Sequence, residues 1–239
     1  MKKVSKNLML YLSVFTSMMV FSGLMFVVYG KITSQVFSNE KVYTVVLDAG
    51  HGGEDGGAVG QDGITEKNIN LEISKKIRDM LETSGYHVIM TREEDTAIYD
   101  DNAETLRQKK RSDLKNRLEM VKSNTGEDSI FVSIHQNKFT DEKYSGAQIF
   151  YSKNNAKSQE LATNIKDSIV GLIQPNNSRE LKPADKYIYL LLNSSGPSVI
   201  VECGFLSNAE EAKKLNTKEY QQQLAFSIYC GITHYFMNL

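Results

Sequence analysis

The stretch that decides the fold is VYTVVLDAGHGG, residues 42–53. Its first seven residues form a compact run rich in β-branched side chains, which predicts a strand buried on both faces. A glycine-rich loop follows over residues 50–63. Glycine lets a loop turn sharply and lets the backbone approach a ligand closely. The pattern therefore predicts a strand that delivers a tight loop to one edge of a sheet.

Downstream of this loop, residues 67–83 carry apolar side chains at helical spacing. Thr65 is placed to cap this helix at its start, and Gly85 ends it. Residues 86–91 (YHVIMT) then predict a second strand. Strand, helix and strand in this order form the repeating unit of a parallel sheet.

The rest of the chain continues the same alternation. Further strands are predicted at 129–135, 146–151, 187–192 (the weakest pattern) and 197–203, and further helices at 104–123, 155–172 and 217–236. The predicted fold class is therefore α/β, a single domain whose open sheet has helices on both faces. In such sheets the ligand site lies beyond the carboxyl ends of the strands.

Upstream of the domain, residues 1–30 have the composition of a membrane signal. Lys2, Lys3 and Lys6 precede an uncharged run of 22 residues, Leu8–Tyr29. A membrane-spanning helix needs about 20 apolar residues, whereas the core of a cleaved signal peptide has about 7–15. We therefore favour a retained anchor over a cleaved signal. Either one exports the domain, because the lysines keep the amino end in the cytoplasm.

Composition constrains the remaining segments. Residues 31–41 are predicted to be a polar tether and residues 42–239 the globular domain.

Beyond residue 30 the chain keeps 25 of its 28 basic residues and all 29 acidic ones, so its net charge is near −4. Because nucleic-acid recognition needs a concentrated basic face, we expect no nucleic-acid partner. The run Lys109-Lys110-Arg111 is interpreted as a solvated helix face.

Two of the four histidines follow predicted strands. His51 comes after the first strand, and His135 ends the strand at 129–135. Glu202 lies near the end of the strand at 197–203, and Glu66 starts the first helix after the glycine-rich loop. Since the carboxyl ends of parallel strands meet at one edge, these four side chains are candidates for a common site.

Two histidines and a carboxylate with one open position are the ligand set of a hydrolytic zinc site. A further carboxylate beside the metal would act as general base and then general acid. Glu202 suits that role, because a carboxylate at the end of an apolar strand is costly to bury without a partner. The residues alone leave the carboxylate ligand open among Glu54, Asp55 and Glu66. They also leave a structural role open for each histidine, which is the commoner fate of a histidine at a strand end.

Five motifs in order resemble one enzyme family. They are LDAGHGGEDGGAVG (47–60), TEKNINL (65–71), MTREED (90–95), SIHQN (133–137) and VECGFLSN (201–208). Together they are similar to the zinc-dependent N-acetylmuramoyl-L-alanine amidases across residues 43–236. The resemblance implies a twisted, mostly parallel six-stranded sheet. It also implies hydrolysis of the amide bond that joins the lactyl group of N-acetylmuramic acid to L-alanine in peptidoglycan.

Carried over position by position, the resemblance implies one Zn²⁺ held by His51, Glu66 and His135, with Glu202 as the catalytic glutamate. It further implies a supporting role for Asp55 in shaping the glycine-rich loop at residues 50–63, which is called the metal loop below.

Other positions either support the site or depart from the family. Asn137 is implied as a contact beside the metal or substrate, and Arg92 as a structural residue. The residue after His135 is usually small in the family and is Gln136 here, which is expected to line the cleft. Glu54 stands where proline is common and adds negative charge beside the metal loop.

The cysteines offer a rival nucleophile. Cys203 adjoins Glu202, but alternation along a strand points the two side chains to opposite faces, which argues against a cysteine mechanism. Cys203 and Cys230 are instead interpreted as two buried free thiols.

The arrangement looks most like the germination-specific amidases of spore-forming bacteria. The link at 138–145 is only eight residues long and leaves no room for the blocking helix of some septal amidases. The resemblance implies side-chain removal from muramic acid, so that a polysaccharide deacetylase can form muramic-δ-lactam in the spore cortex. It also implies a location between the forespore membranes, and control either by the timing of expression or by an activating partner protein. The alternatives are a vegetative autolysin with the same chemistry and a dormant or partner-dependent peptidoglycan-binding module.

Overall fold

The computed structural model describes residues 6–37, 41–126 and 128–239. The chain divides into an amino-terminal unit that ends at Lys41 and a compact domain that begins at Val42. The first unit contains one helix, α1 (Lys6–Phe37). Its stretch Asn7–Tyr29 has 23 residues and a mean hydropathy of 1.9, which is long and apolar enough to cross a membrane. The helix continues through Phe37, well into the segment predicted to be a tether.

The domain is built on a six-stranded sheet. Its strands are β1 (Thr44–Ala49), β2 (His87–Met90), β3 (Ser129–Asn137), β4 (Gln148–Tyr151), β5 (Lys182–Pro183) and β6 (Ser198–Phe205). Their order across the sheet is β2-β1-β3-β6-β4-β5. All neighbours run parallel except β4 and β6, which are antiparallel. The mostly parallel six-stranded sheet implied by the resemblance is therefore confirmed.

Helices cover both faces of this sheet. They are α2 (Glu66–Thr83), α3 (Leu106–Asn124), α4 (Lys157–Leu172), α5 (Tyr189–Asn193), α6 (Ala209–Leu215) and α7 (Lys218–Met237). The large core lies under α2, α4 and α7, and a smaller one lies under α3 and α5. Gly231 brings α7 close to α4, since a Cβ at this position would lie 2.4 Å from the Cα of Ile165.

Alternation along β3 explains why its apolar residues lie at neighbouring positions between residues 130 and 134. Ile130, Val132 and Ile134 belong to the large core, whereas Phe131 belongs to the smaller one. A central strand covered on both faces buries every residue, and each large apolar side chain stabilises the fold by about 1.5–3 kcal/mol. This burial fixes the register that positions the functional residues.

The register of the central strands sets two functional side chains side by side. His135 on β3 pairs directly with Glu202 on β6, and a bulge follows between His135 and Asn137. Glu66 begins α2, so the amino end of this helix reaches the same edge of the sheet. The geometry of an open α/β sheet thus gathers residues that lie far apart in the sequence.

The structure corrects the predicted strand at 187–192. This segment contains the helix α5 instead. The strand that the sequence did not predict is the short β5, which includes Pro183. The backbone N–H groups of Leu192 and Ser194 donate to the carbonyls of Ile188 and Leu190, which are the hydrogen bonds between residues four apart that define a helical turn. The short helix α6 has no counterpart in the sequence prediction.

The predicted cap of α2 is also only half right. Thr65 occupies the N-cap position with an extended backbone, but its side chain makes no capping hydrogen bond. Its hydroxyl is buried and has no partner among the described residues. The amino end of α2 is held instead by the backbone N–H groups of Glu66 and Lys67, which donate to the carbonyls of Ala58 and Gly56.

Candidate active site

The loop after β1 presents His51 in a strained backbone conformation. Its φ is 63°, in the left-handed region that non-glycine residues rarely adopt, and Gly52 and Gly53 also have positive φ. The ring nitrogen Nδ1 lies 2.9 Å from Oδ2 of Asp55. This contact turns the other ring nitrogen, Nε2, toward Glu66, 3.3 Å from its Oε1. Asp55 therefore orients the imidazole of His51.

Glu66 lies at the centre of the site and is only 3% exposed. Its Oε2 accepts a hydrogen bond from the backbone N–H of Ala58 (2.7 Å), and its Oε1 accepts one from the N–H of Gln136 (3.0 Å). The same Oε1 lies 2.9 Å from Nδ1 of His135. The carboxylate is thus fixed by the metal loop on one side and by the end of β3 on the other.

Close approach of the backbone requires glycine at two positions. A Cβ on Gly50 would lie 2.3 Å from the ring of His135, and one on Gly57 would lie 2.5 Å from Oε2 of Glu66. Gly57 also has a φ of +67°. These glycines explain in part why the loop is glycine-rich.

The side chains of His51, Glu66 and His135 form a cluster that could hold a metal ion. One donor atom from each lies within 4.8 Å of the others. The donor chemistry fits a divalent cation, because two imidazoles and a carboxylate are the usual ligands of a hydrolytic metal site. Glu54 and Asp55, the other carboxylates considered from the sequence, lie outside this cluster.

Burial and mutual electrostatic interactions shift the pKa values of the groups in this cluster. Burial lowers the pKa of His51, but hydrogen bonds to Asp55 and Glu66 outweigh it and raise the pKa to about 9. Burial raises the pKa of Glu66, but the two histidines outweigh it and hold that pKa far below its ordinary range. The carboxylate is therefore ionised, the state that metal binding requires.

Glu202 differs from the other acids of the site. Its Oε2 is buried and has no hydrogen-bond partner among the described residues. Burial raises its pKa to about 7, with Glu66 adding to the rise and the two histidines opposing it. A carboxylate with a pKa near neutrality is suited to taking up and returning a proton.

Two buried arginines donate hydrogen bonds to backbone carbonyls of the metal loop and of the strand before it. Arg117 on α3 donates to the carbonyl of His51 (2.7 Å) and to Oδ1 of Asp48 (2.6 Å). Arg92 donates to the carbonyls of Ala49 (2.8 Å) and Gly50 (3.1 Å). Arg92 is thus structural, as the motif implied. The role of Arg117 was not found from the sequence, because nothing marks it among the basic residues of its helix.

The run Lys109-Lys110-Arg111 lies on a solvated face of α3, as interpreted, with Lys110 and Arg111 exposed and Lys109 half-buried, and its two lysines also make ion pairs. Lys109 Nζ lies 2.7 Å from Glu54, and Lys110 Nζ lies 2.8 Å from Asp55. Both lysines therefore join α3 to the metal loop. The negative charge that Glu54 was expected to add is compensated by Lys109.

The expectation that Gln136 lines the cleft is wrong. Its side chain is only 3% exposed and donates from Nε2 to Oδ1 of Asn70 behind Glu66 (3.1 Å). Alternation along β3 places it on the same face as Ile134, which belongs to the large core. Asn137 ends β3, and its backbone carbonyl accepts a hydrogen bond from Leu206.

Both cysteines are free thiols. Cys203 is buried in the large core, and Cys230 is half-buried. Burial raises the pKa of Cys203 far above its ordinary value, so this thiol is poorly suited to be a nucleophile.

Comparisons with known proteins identify the family. The family model described as N-acetylmuramoyl-L-alanine amidase matches residues 45–234. A germination-specific N-acetylmuramoyl-L-alanine amidase of Bacillus subtilis is 40% identical over 192 residues, which are 80% of this chain and 79% of that protein.

Among solved structures, the CwlD amidase of Clostridioides difficile in complex with the GerS lipoprotein is 45% identical, with a TM-score of 0.78 over 82% of this chain and 100% of that one. The amidase AmiC2 of Nostoc punctiforme is 30% identical, with a TM-score of 0.69 over 82% and 97%. The clustered histidines and carboxylates at the sheet edge thus lie in a fold and a sequence shared with these enzymes. The chain belongs to the N-acetylmuramoyl-L-alanine amidase family, and it cleaves the amide bond between muramic acid and L-alanine in peptidoglycan.

Proposed function

We propose that this enzyme is a zinc-dependent amidase of the spore cortex. The observation that carries the chemistry is the cluster of His51, Glu66 and His135 next to Glu202, whose buried Oε2 has no hydrogen-bond partner in the part of the chain that the structure describes. In this proposal His51, Glu66 and His135 hold one Zn²⁺. When bound there, zinc lowers the pKa of water to about 7 and polarises the carbonyl under attack.

Glu202 handles the proton in this mechanism. Its buried carboxylate takes a proton from the water that attacks the lactyl carbonyl. It then returns that proton to the nitrogen of the leaving L-alanine. A general base must be ionised to act, so its activity falls as the pH drops through its pKa. The raised pKa of Glu202 supports this assignment, since a stronger base accepts the proton more readily.

The supporting residues keep these groups in place. Asp55 bonds to Nδ1 of His51 and leaves Nε2 for the metal, an arrangement common around metal-bound histidines. Asn137 lies two residues beyond His135, and we assign it a contact to the substrate.

The substrate context follows from the relatives. The B. subtilis relative is named as germination-specific. We therefore propose that this enzyme removes peptide side chains from cortex peptidoglycan and so prepares muramic acid for a polysaccharide deacetylase that forms muramic-δ-lactam.

A partner protein is part of this proposal. The C. difficile relative was solved in complex with a lipoprotein. We propose that an activating partner of this kind binds the present enzyme.

The amino-terminal unit supports an external location. Residues 1–30 act as a membrane signal that is retained as an anchor, residues 31–41 as the tether and residues 42–239 as the catalytic domain. The apolar stretch of α1 supports the anchor. In the developing spore this would place the catalytic domain between the two forespore membranes.

A biochemical experiment tests the zinc chemistry. The full chain is purified in mild detergent, its zinc content is measured, and peptides released from peptidoglycan are followed by mass spectrometry. Glu202→Gln is the matched variant, because it keeps the shape of the side chain but cannot take up the proton. We expect one zinc in both proteins and a loss of about 10²- to 10⁴-fold in the rate for the variant. Full zinc loading without peptide release, with or without the partner lipoprotein, would contradict the proposal.

A second experiment separates the cortex enzyme from a vegetative autolysin. Spores and growing cells that lack the protein are compared by muropeptide profiling. We expect spores without muramic-δ-lactam and growing cells that separate normally. A normal cortex together with chains of unseparated cells would support the autolysin instead.

A further inference from the structure

Gln136 directly follows the candidate ligand His135, yet its side chain points away from the cleft. It is one of the buried polar residues of the domain, and only 3% of it is exposed. Its backbone N–H donates to Oε1 of Glu66 (3.0 Å), and its side-chain Nε2 donates to Oδ1 of Asn70 (3.1 Å). Gln136 therefore contacts the central carboxylate directly through its backbone and indirectly through its side chain.

Asn70 is the next member of this chain of hydrogen bonds. It lies one turn after Glu66 on α2 and is fully buried. Its Nδ2 donates to the carbonyl of Gly50 (3.1 Å) and to Oε1 of Glu66 (3.3 Å). One amide thus bridges the metal loop and the central carboxylate.

The orientation of these two amides is determined by their neighbours. Both groups that face Nδ2 of Asn70 are oxygen acceptors, so its Oδ1 must point the other way. Oδ1 then needs a donor, and Nε2 of Gln136 is the group that supplies it. The reverse orientation of the Gln136 amide would set two acceptors against each other.

The remaining oxygen of Gln136 shows that this arrangement has a cost. Its Oε1 is buried without a partner among the described residues. An unsatisfied buried acceptor destabilises a protein, and an apolar side chain of similar size would avoid that loss. The hydrogen bond from Nε2 to Asn70 is one compensating interaction, and the thiol of Cys203 also contacts the side chain of Gln136.

We propose that Gln136 is a positioning residue for the metal site. By fixing the amide of Asn70, it holds Oε1 of Glu66 and the loop at Gly50 in the geometry that binds the metal, and it thereby raises metal affinity. This inference rests on the proposed zinc site. It adds a determinant that lies behind the ligands and contacts neither metal nor substrate.

The test uses a variant that keeps the volume of the side chain. Gln136→Met is close in size to glutamine but has no donor for Asn70, so it separates the hydrogen bond from packing. Zinc affinity is measured on the full chain in detergent by competition with a chromophoric chelator. The absorption spectrum of bound Co²⁺ reports the geometry of the ligands independently of activity. We expect about threefold to tenfold weaker zinc binding and an altered Co²⁺ spectrum.

A double-mutant cycle tests whether Gln136 acts through Asn70. Asn70→Ala alone is expected to weaken zinc binding by about 10- to 100-fold. If the relay exists, adding Gln136→Met to Asn70→Ala causes little further loss, because the bond is already absent. If Asn70→Ala does not fold, the zinc affinity of Gln136→Met alone still shows whether Gln136 is a positioning residue.

Ser74→Ala is the matched control. Ser74 lies one turn further along α2, is fully buried, and its hydroxyl likewise has no partner among the described residues. Its removal is expected to leave zinc affinity and the Co²⁺ spectrum unchanged.

The outcomes separate the two proposals. Native protein without zinc affinity would refute the zinc site itself. Native protein that binds zinc, together with an unchanged Gln136→Met variant, would overturn the inference alone. Fully additive losses in the double mutant would also overturn it.

Discussion

At the scale of single residues, Gly50 is a position of the candidate site where only glycine fits. The ring of His135 occupies the space where a Cβ at this position would be, at 2.3 Å. No other amino acid can fill this position unless the ring moves. The same loop contains Gly56, whose Cβ would meet nothing within 4 Å. Substituting Gly50 or Gly56 therefore compares a crowded position with an open one in the same loop.

We predict that Gly50→Ala weakens zinc binding by about 10- to 100-fold and lowers amidase activity with it, because the ring of His135 is pushed from its position. Gly56→Ala is the control and should retain both. Zinc titration and peptide release from peptidoglycan measure the two properties. Equal zinc affinity in the two variants would show that the ring has room to move.

A second residue-scale feature is the buried ion pair of Arg117 and Asp48. Their side chains are 2% and 1% exposed. Burial raises the pKa of Asp48, but Arg117 and further hydrogen bonds outweigh it and hold that pKa at about 2, below the ordinary 3.8. Asp48 thus contributes stability above its ordinary pKa, and this contribution is lost as the pH falls toward 2.

We predict that Arg117→Met destabilises the domain by about 3–5 kcal/mol at neutral pH, because it leaves a buried carboxylate without its partner. Without Arg117, burial raises the pKa of Asp48, so the variant becomes relatively more stable as the pH falls and the carboxyl group takes up a proton. Urea unfolding at pH 7 and pH 4 measures the difference from native protein, which should be smaller at pH 4. Arg111→Met, on the exposed side of the same helix, should show little effect at either pH. A difference that does not change with pH would contradict this account of Asp48.

At the scale of elements, the packing of α7 against α4 depends on Gly231. A Cβ here would lie 2.4 Å from the Cα of Ile165, which is backbone and cannot rotate away. We predict that Gly231→Ala destabilises the domain by about 1–3 kcal/mol through overpacking.

Gly171 provides the comparison for this helix pair. It lies within α4, and a Cβ there would meet nothing within 4 Å. Gly171→Ala should be neutral or slightly stabilising, since alanine favours helix. Thermal unfolding compares the two variants. A Gly231→Ala protein as stable as the native one would mean that the two helices can separate freely.

The strands and helices also show how much of the fold and of the candidate site could be predicted from the sequence. The central strands were found because burial on both faces makes them continuously apolar. The four candidate site residues were found because three of them follow or end such strands, where open α/β sheets bind ligands, and because the ordered motifs singled out Glu66.

Other features depend on tertiary contacts that leave no local pattern. The segment at 187–192 is apolar at neighbouring positions, a pattern that fits both a strand and a helical turn. Arg117 looks like any basic residue of an exposed helix until the fold brings it under the metal loop. Gln136 is different, because alternation along β3 already places it on the buried face that Ile134 occupies.

At the scale of the whole molecule, the question is how the enzyme is held outside the cell membrane. The stretch Asn7–Tyr29 is long enough to span a bilayer, and the lysines before it favour a cytoplasmic amino end. We predict that the mature protein keeps residues 1–30 and sediments with membranes until detergent is added. When the protein is expressed in growing cells, protease added to their intact protoplasts should digest the catalytic domain.

Mass spectrometry of the protein isolated from cells measures whether this segment is kept. A variant that lacks residues 2–30 serves as the control and should stay in the cytoplasm, protected from protease. A native protein recovered from the medium without its first 30 residues would show that the segment is a cleaved signal.

The packing of α7 has a consequence for the order of events in the living cell. α7 begins more than 130 residues after α2 ends, yet both helices cover the same core. In a chain that crosses the membrane in sequence order after the amino-terminal segment, the core on the far side is incomplete until this late helix has crossed, since long-range contacts form last. The part of the chain still being moved then lacks the packing of a folded domain. The complete core, and with it the assembled site, forms on the side of the membrane where the wall lies.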